Sequence, residues 1–202
     1  TKVKYFRLGL VLCVASTIMM GVATQDILLI ISRIIAGFGA AMTLVVGAAI
    51  VMVKLNLEDK TKAMGVYFSG IAIALAVSDI IARLVLAIDT WQVSWLALAF
   101  SAAMVAPYSW YILSTDQKIQ TNNTNHSLDN NLFSSFVIIL IVAYFTAGVG
   151  MVVQGTFLPT IIQSLPGLES FAGFTWLLVG LAGIPSSIIW MRLAHKYGNV
   201  NI

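Results

Sequence analysis

The chain has 202 residues, of which 59% are hydrophobic and only 9% charged, with a mean hydropathy of +0.95, whereas a soluble domain has about 45–50% apolar and 25% charged residues. That composition excludes a water-soluble globular domain and predicts an all-α polytopic transmembrane helix bundle. The net charge of +3 does not indicate nucleic acid, because the basic residues sit between apolar runs and form no stripe on a folded surface; the single cysteine, Cys13, excludes a disulfide framework and a thiolate metal site.

A helix needs about 20 apolar residues to cross about 30 Å of hydrocarbon, and six runs reach that length. The first, Tyr5 to Ala23, has a basic flank and ends on Gly21, Val22 and Ala23. It imitates a secretory signal, but the five runs that follow make it a first transmembrane helix. The second, Ile27 to Val53, contains one charge, Arg33. Its Gly39, Thr43 and Gly47 recur every four residues, a spacing that lets helix backbones approach closely. At about 100° per residue, Arg33, Gly37 and Ala40 point about 120° away from that stripe. One face is thus expected to pack while the other meets a polar interior.

The third run, Ala63 to Ile88, holds Asp79 and Arg83, four residues apart on one face. A structural ion pair and a role in substrate or proton coupling are both open to them. Asp79 is the one carboxylate inside any run, so a proton-carrying acid in this chain would be Asp79. A second stripe of small residues, Gly70, Ala74, Ser78 and Ala82, predicts another packing face. The fourth run is Val93 to Leu113.

Residues Ser114 to Asn131, "STDQKIQTNNTNHSLDNN", are Asn-rich and lack apolar periodicity, and read as a flexible cytoplasmic linker. They divide the chain into 1–113 with four spans, the linker 114–131, and 132–202 with two. The fifth run, Leu132 to Ile162, is long for one straight crossing and is punctuated by Gly148, Gly150, Gly155 and Pro159, which predicts a bent or locally broken helix. Broken helices in transporters lie at binding sites. The sixth run is Phe171 to Met191.

Orientation follows from the basic residues. Lys2, Lys4 and Arg7, then Lys54, Lys60 and Lys62, then Lys118, then Arg192 and Lys196 all fall on one side, and the connections on the other side hold none. Both ends are therefore expected to be cytoplasmic. That placement makes the two glycosylation sequons, at Asn122 and Asn125, irrelevant.

Enzymatic chemistry finds no support. The sequence has no HExxH, GxSxG or CxxC and no Gly-rich phosphate loop, and it calls for no cofactor. His126 and His195 lie in the expected cytoplasmic segments, out of reach of Asp79.

Two stretches carry a resemblance. In "RIIAGFG", Arg33, Gly37 and Gly39 match the R-x-x-x-G-x-G pattern of the fourth helix of the major facilitator superfamily. In "MRLAHKYGN", Arg192, Leu193, Ala194, Lys196 and Gly198 resemble its cytoplasmic-loop motif G-R-L-A-D-R-x-G-R. The segments "GTFLPTIIQSLPG" and "FTWLLVGLAGIPSSIIWMRLAHKYG" further resemble the bacterial YbfB/YjiJ-like subgroup.

The resemblance implies that the chain corresponds to helices 3 to 8 of a twelve-helix transporter, with the remaining helices as partners. It implies a cavity lined by the second and fifth runs, with Arg33 sensing or transferring protons. Thr43, Tyr144, Thr146, Gln154 and Thr156 become candidate lining residues. The implied activity is proton-coupled transport of a small organic solute by alternating access, in a bacterial cytoplasmic membrane. Two rivals stay open: a drug/proton efflux antiporter, and a non-transporting sensor or scaffold with the same fold. The third run has Gly70 but none of the Gly-Pro signature of drug antiporters, which leans toward symport. His195 stands where the loop motif has Asp and Asn199 where it has Arg, which weakens the charge network of that motif.

Overall fold

The computed structural model describes residues 2–54, 57–87, 89–115 and 135–197, and the regular structure among them is helical. The elements are α1 (Lys2–Val22), α2 (Asp26–Lys54), α3 (Leu57–Leu86), α4 (Trp91–Thr115), α5 (Ser135–Ser164), the short α6 (Glu169–Ala172) and α7 (Thr175–Tyr197). All but α6 are long and apolar enough to cross a membrane. Lipid offers no hydrogen bonds to an unpaired backbone, so an apolar segment that crosses it closes its bonds internally as a helix. Most of the linker, with His126, both sequons and Lys118, lies outside the described residues, as do Gly198 and Asn199; so does the side chain of His195.

The chain forms two compact units, one of residues 1–119 with 176–202 and one of residues 120–175. In the first, α1 packs against both α2 and α4, and α3 against α2 and α4. Small residues set the approach. A methyl group added at Gly9 would lie 2.9 Å from Met42 Cβ and 3.0 Å from the Gly39 carbonyl; one at Gly39 would lie 2.9 Å from Cys13 Sγ. Toward the far end of α1, a methyl at Gly21 would run into Leu96 of α4. Tyr67 ties α3 to α2, its hydroxyl lying 3.0 Å from the Thr43 carbonyl oxygen and 3.1 Å from that of Leu44. The buried apolar positions are correspondingly small or slender: Ala23, Ala72, Ala76 and Ala99, with Met20 and Ile50. Helices without a hydrophobic drive to separate from lipid associate through such close packing.

The packing stripe of α3 differs from the expected one. Gly70 has nothing within 4 Å of an added Cβ, and Gly70 and Ala74 are exposed. The buried positions are instead Gly65, Ser69, Ala72 and Ala76, and of these Gly65, Ala72 and Ala76 meet α7. A methyl on Gly180 would come within 2.7 Å of the Ala72 carbonyl oxygen, and one on Gly65 within 3.3 Å of Ile188 Cα. Both sets have helical spacing and small side chains, so composition alone does not select between them. The contact with Gly180 and Gly183 of α7 does. It also explains why α7 groups with α1–α4 although the linker precedes it in sequence.

In the second unit, α5 is an unbroken α-helix through Gly148, Gly150, Gly155 and Pro159, which corrects the expectation of a local break. A proline removes one backbone hydrogen bond and crowds the carbonyl four residues earlier; here that residue is Gly155, which has no side chain to add to the crowding. The helix ends before Gly167, whose φ of +82° makes the turn that only glycine adopts readily, with its N–H donating to Glu169 Oε2 at 3.1 Å. The sixth expected run, by contrast, is interrupted near its start. Residues 169–172 form α6, and the long helix begins at Thr175 and continues to Tyr197. Arg192 and Lys196 of the loop-type motif are therefore on the last turns of a helix, where cations complement the helix dipole.

Candidate transport site

Helix α2 presents two contrasting sides. Gly39 and Gly47 are buried, Gly39 against α1 and Gly47 under the hydroxyl of Tyr67. Arg33, Gly37 and Ala40 are exposed, and an added Cβ at Gly37 would meet nothing within 4 Å. The geometry follows from the helical repeat: at about 100° per residue Gly39 lies about 120° around the cylinder from Arg33, whereas Gly47 lies nearer the Arg33 side and is covered because Tyr67 of α3 reaches over α2 farther along the helix. Gly37 therefore provides no close helix approach among the described residues, and Gly39 does.

The guanidinium of Arg33 lies over the ring of Trp95, 4.8 Å from its centroid. The cation satisfies part of its electrostatic need against the electron-rich face of the indole. Trp95 was not among the sequence candidates. A tryptophan near a span terminus is ordinarily assigned to the interfacial belt, so its pairing with Arg33 becomes visible only when α2 and α4 are placed in space.

Asp79 and Arg83 meet directly, Arg83 Nε donating to Asp79 Oδ2 at 2.7 Å. The Asp79 side chain is 12% exposed and that of Arg83 30%, so the carboxylate is the more enclosed member. This contact ties the acid to a guanidinium on its own helix through a hydrogen bond of the charge-assisted type. Arg33 is engaged with α4 and Asp79 with its own helix, so these two candidates occupy separate settings within the same unit.

Thr43 faces the packed side. Its hydroxyl lies 3.0 Å from the carbonyl oxygens of Gly39 and Ala40, and its methyl is 3.0 Å from where a Cβ on Gly9 would sit. It therefore serves the α1–α2 contact and not the Arg33 side. On α5, Tyr144, Thr146, Gln154 and Thr156 are all exposed. Thr146 donates to the Val142 carbonyl at 2.9 Å and Thr156 to that of Val152 at 2.8 Å, so both hydroxyls are satisfied within the helix. At the end of α7, Arg192 is exposed and Lys196 Nζ sits 5.3 Å from the Tyr197 ring centroid. The described residues contain no group of three or more His, Cys, Asp or Glu placed to hold a metal ion.

The family described as "Uncharacterised MFS-type transporter YbfB" matches the chain over residues 1–202. The chain belongs to this family of the major facilitator superfamily. The YbfB-type chain is thus an integral membrane protein of a transporter family, and its six membrane-length helices fit part of the superfamily's all-helical fold. No curated protein and no solved structure matches it. Membership gives the Arg33, Gly37 and Gly39 pattern of this YbfB-type chain its context: a charge on the open side of a helix whose other side is packed.

Proposed function

We propose that the protein is a secondary active transporter that moves a small organic solute in exchange for, or together with, protons, by alternating access of two helix bundles around a central cavity. The observation that carries this reading is the two-sided α2 around Arg33, with Gly39 packed against α1 and Arg33, Gly37 and Ala40 open. A charged residue inside a span is costly wherever it faces lipid, and faces a polar interior where it has a function. In this reading Arg33 faces the solute pathway, steadied by Trp95, and both ends of the chain are cytoplasmic in a bacterial inner membrane.

Coupling falls to the ionisable groups within the spans. A guanidinium is not a proton carrier, so in this reading Arg33 acts through its field, by favouring the ionised form of a substrate or neighbouring acid. Asp79 is the group that gains and loses a proton, with Arg83 as its counter-ion. Uptake symport is favoured over drug efflux because α3 contains no proline, and hence no Gly-Pro signature of the antiporters.

The test is solute flux by the whole protein in proteoliposomes, with a panel of organic acids, amino acids and cationic drugs. Arg33→Ala is expected to lower flux at least tenfold while membrane insertion is unchanged. Normal flux in that variant refutes the role of Arg33, and absence of flux of any solute in the wild type favours the sensor or scaffold reading. Uptake coupled to an inward proton gradient distinguishes symport from efflux.

A further inference from the structure

We propose that the groove between α1 and α4 binds one anionic glycerophospholipid, with the phosphate at Arg7 and an acyl chain lying along the groove. The groove has a volume of about 650 Å³, within the roughly 300–1,000 Å³ of pockets that hold small ligands. Short side chains make the room: Ala15 on α1, and Ala103, Ala106 and Pro107 on α4. No charged residue lines it. From Leu10 to Ile18 it follows α1 for about 12 Å at 1.5 Å per residue, close to the 15 Å or so that one leaflet contributes to a 30 Å hydrocarbon core.

One end of this apolar channel is cationic. Arg7 lies one helical turn before Leu10, and its guanidinium stacks on the ring of Trp110, itself a lining residue, 4.7 Å from the centroid. One terminal nitrogen donates to the Trp110 carbonyl at 3.2 Å. The Nε is buried and has no hydrogen-bond partner, and Arg7 pairs with no carboxylate among the described residues. Most of its five donors are therefore uncommitted, in the fork geometry that suits a phosphate. Lys4, exposed three residues earlier on the same side of α1, adds a second positive charge.

The occupant follows from this combination. Apolar surface for about one leaflet, ending at an uncompensated arginine, is complementary to an amphiphile with an anionic head. A covering helix would fill the groove but supply no anion. Basic sites between transmembrane helices recognise acidic lipid headgroups on the same grounds.

The experiment uses the whole protein, delipidated and then equilibrated with equal amounts of phosphatidylglycerol and phosphatidylethanolamine, and counts retained lipids by native mass spectrometry. The wild type is expected to retain phosphatidylglycerol preferentially. Arg7→Gln lowers that retention about fivefold, the contribution of one basic residue near the headgroups, whereas Lys62→Gln, the same charge change at an exposed site on α3, leaves it unchanged. Ala103→Leu, at an exposed position that leaves Arg7 and Trp110 in place, reduces retention of both lipids. The proposal is overturned by a wild type that retains no lipid, by equal retention of the two lipids, by full retention in Ala103→Leu, or by a Lys62→Gln loss as large as that of Arg7→Gln.

Discussion

Asp79 carries the sharpest prediction at the scale of single residues. Asparagine keeps an oxygen to accept the Arg83 Nε–H seen at 2.7 Å but takes up no proton in the working pH range. Asp79→Asn is therefore expected to preserve the helix and flatten the pH dependence of transport, measured as flux from acidic to neutral pH; an unchanged profile removes Asp79 from coupling. Tyr67 has a structural role of the same locality. Its hydroxyl joins α3 to the Thr43 and Leu44 carbonyls of α2, and interhelical hydrogen bonds in membranes average roughly 0.6 kcal/mol, with a maximum near 1.7. Thermal unfolding in detergent should show Tyr67→Phe destabilised by about that amount, with no effect on substrate choice. Arg33 and its spacing to Gly37 and Gly39 were legible in the sequence because a lone charge in an apolar run is conspicuous. Trp95 and Tyr67 were not, because an aromatic residue in a span has many equivalent settings until its neighbours are fixed.

At the scale of helices, glycines separate into two physical classes. Gly180 is covered by Ala72 and Ala76, so Gly180→Leu has to push α7 away from α3, and we expect a sharp loss of stability in a detergent melting assay. Gly70 is open; alanine there adds no clash and gains helix propensity of roughly 0.5–1 kcal/mol, so Gly70→Ala should melt at or above the wild-type temperature. The stripe expected on α3 from the sequence is Gly70/Ala74/Ser78/Ala82, and the buried set Gly65/Ser69/Ala72/Ala76 differs from it only by a rotation of the helix. Rotation is decided by a partner, and the partner is α7, far along the chain. The unbroken course of α5 through Pro159 has a similar lesson. Proline and glycine weaken a helix locally, but the absence of competing water in a bilayer keeps the remaining backbone bonds closed.

For the molecule as a whole, charge placement makes a topological prediction. With Cys13 replaced by alanine, a cysteine at Lys196 should react with impermeant thiol reagent added from the cytoplasmic side, and one at Asp89 from the opposite side. The reverse pattern would invert every assignment of sidedness, including that of the Arg7 site.

Hydropathy and basic-residue distribution by themselves determined that this is a helical membrane protein with six spans, because the transfer of twenty-residue apolar segments into lipid is a local property, additive along the chain. The family pattern around Arg33 was legible for the same reason: it is written within seven consecutive residues. Only the tertiary structure decided which face of each helix packs, that Thr43 turns toward α1, that α7 joins α3, and that Arg7 caps an apolar groove against Trp110. Those features depend on the relative rotation of helices distant in sequence, and in a bilayer that rotation is set by the fit of small side chains and a few polar contacts rather than by the polarity contrast that orients helices in water.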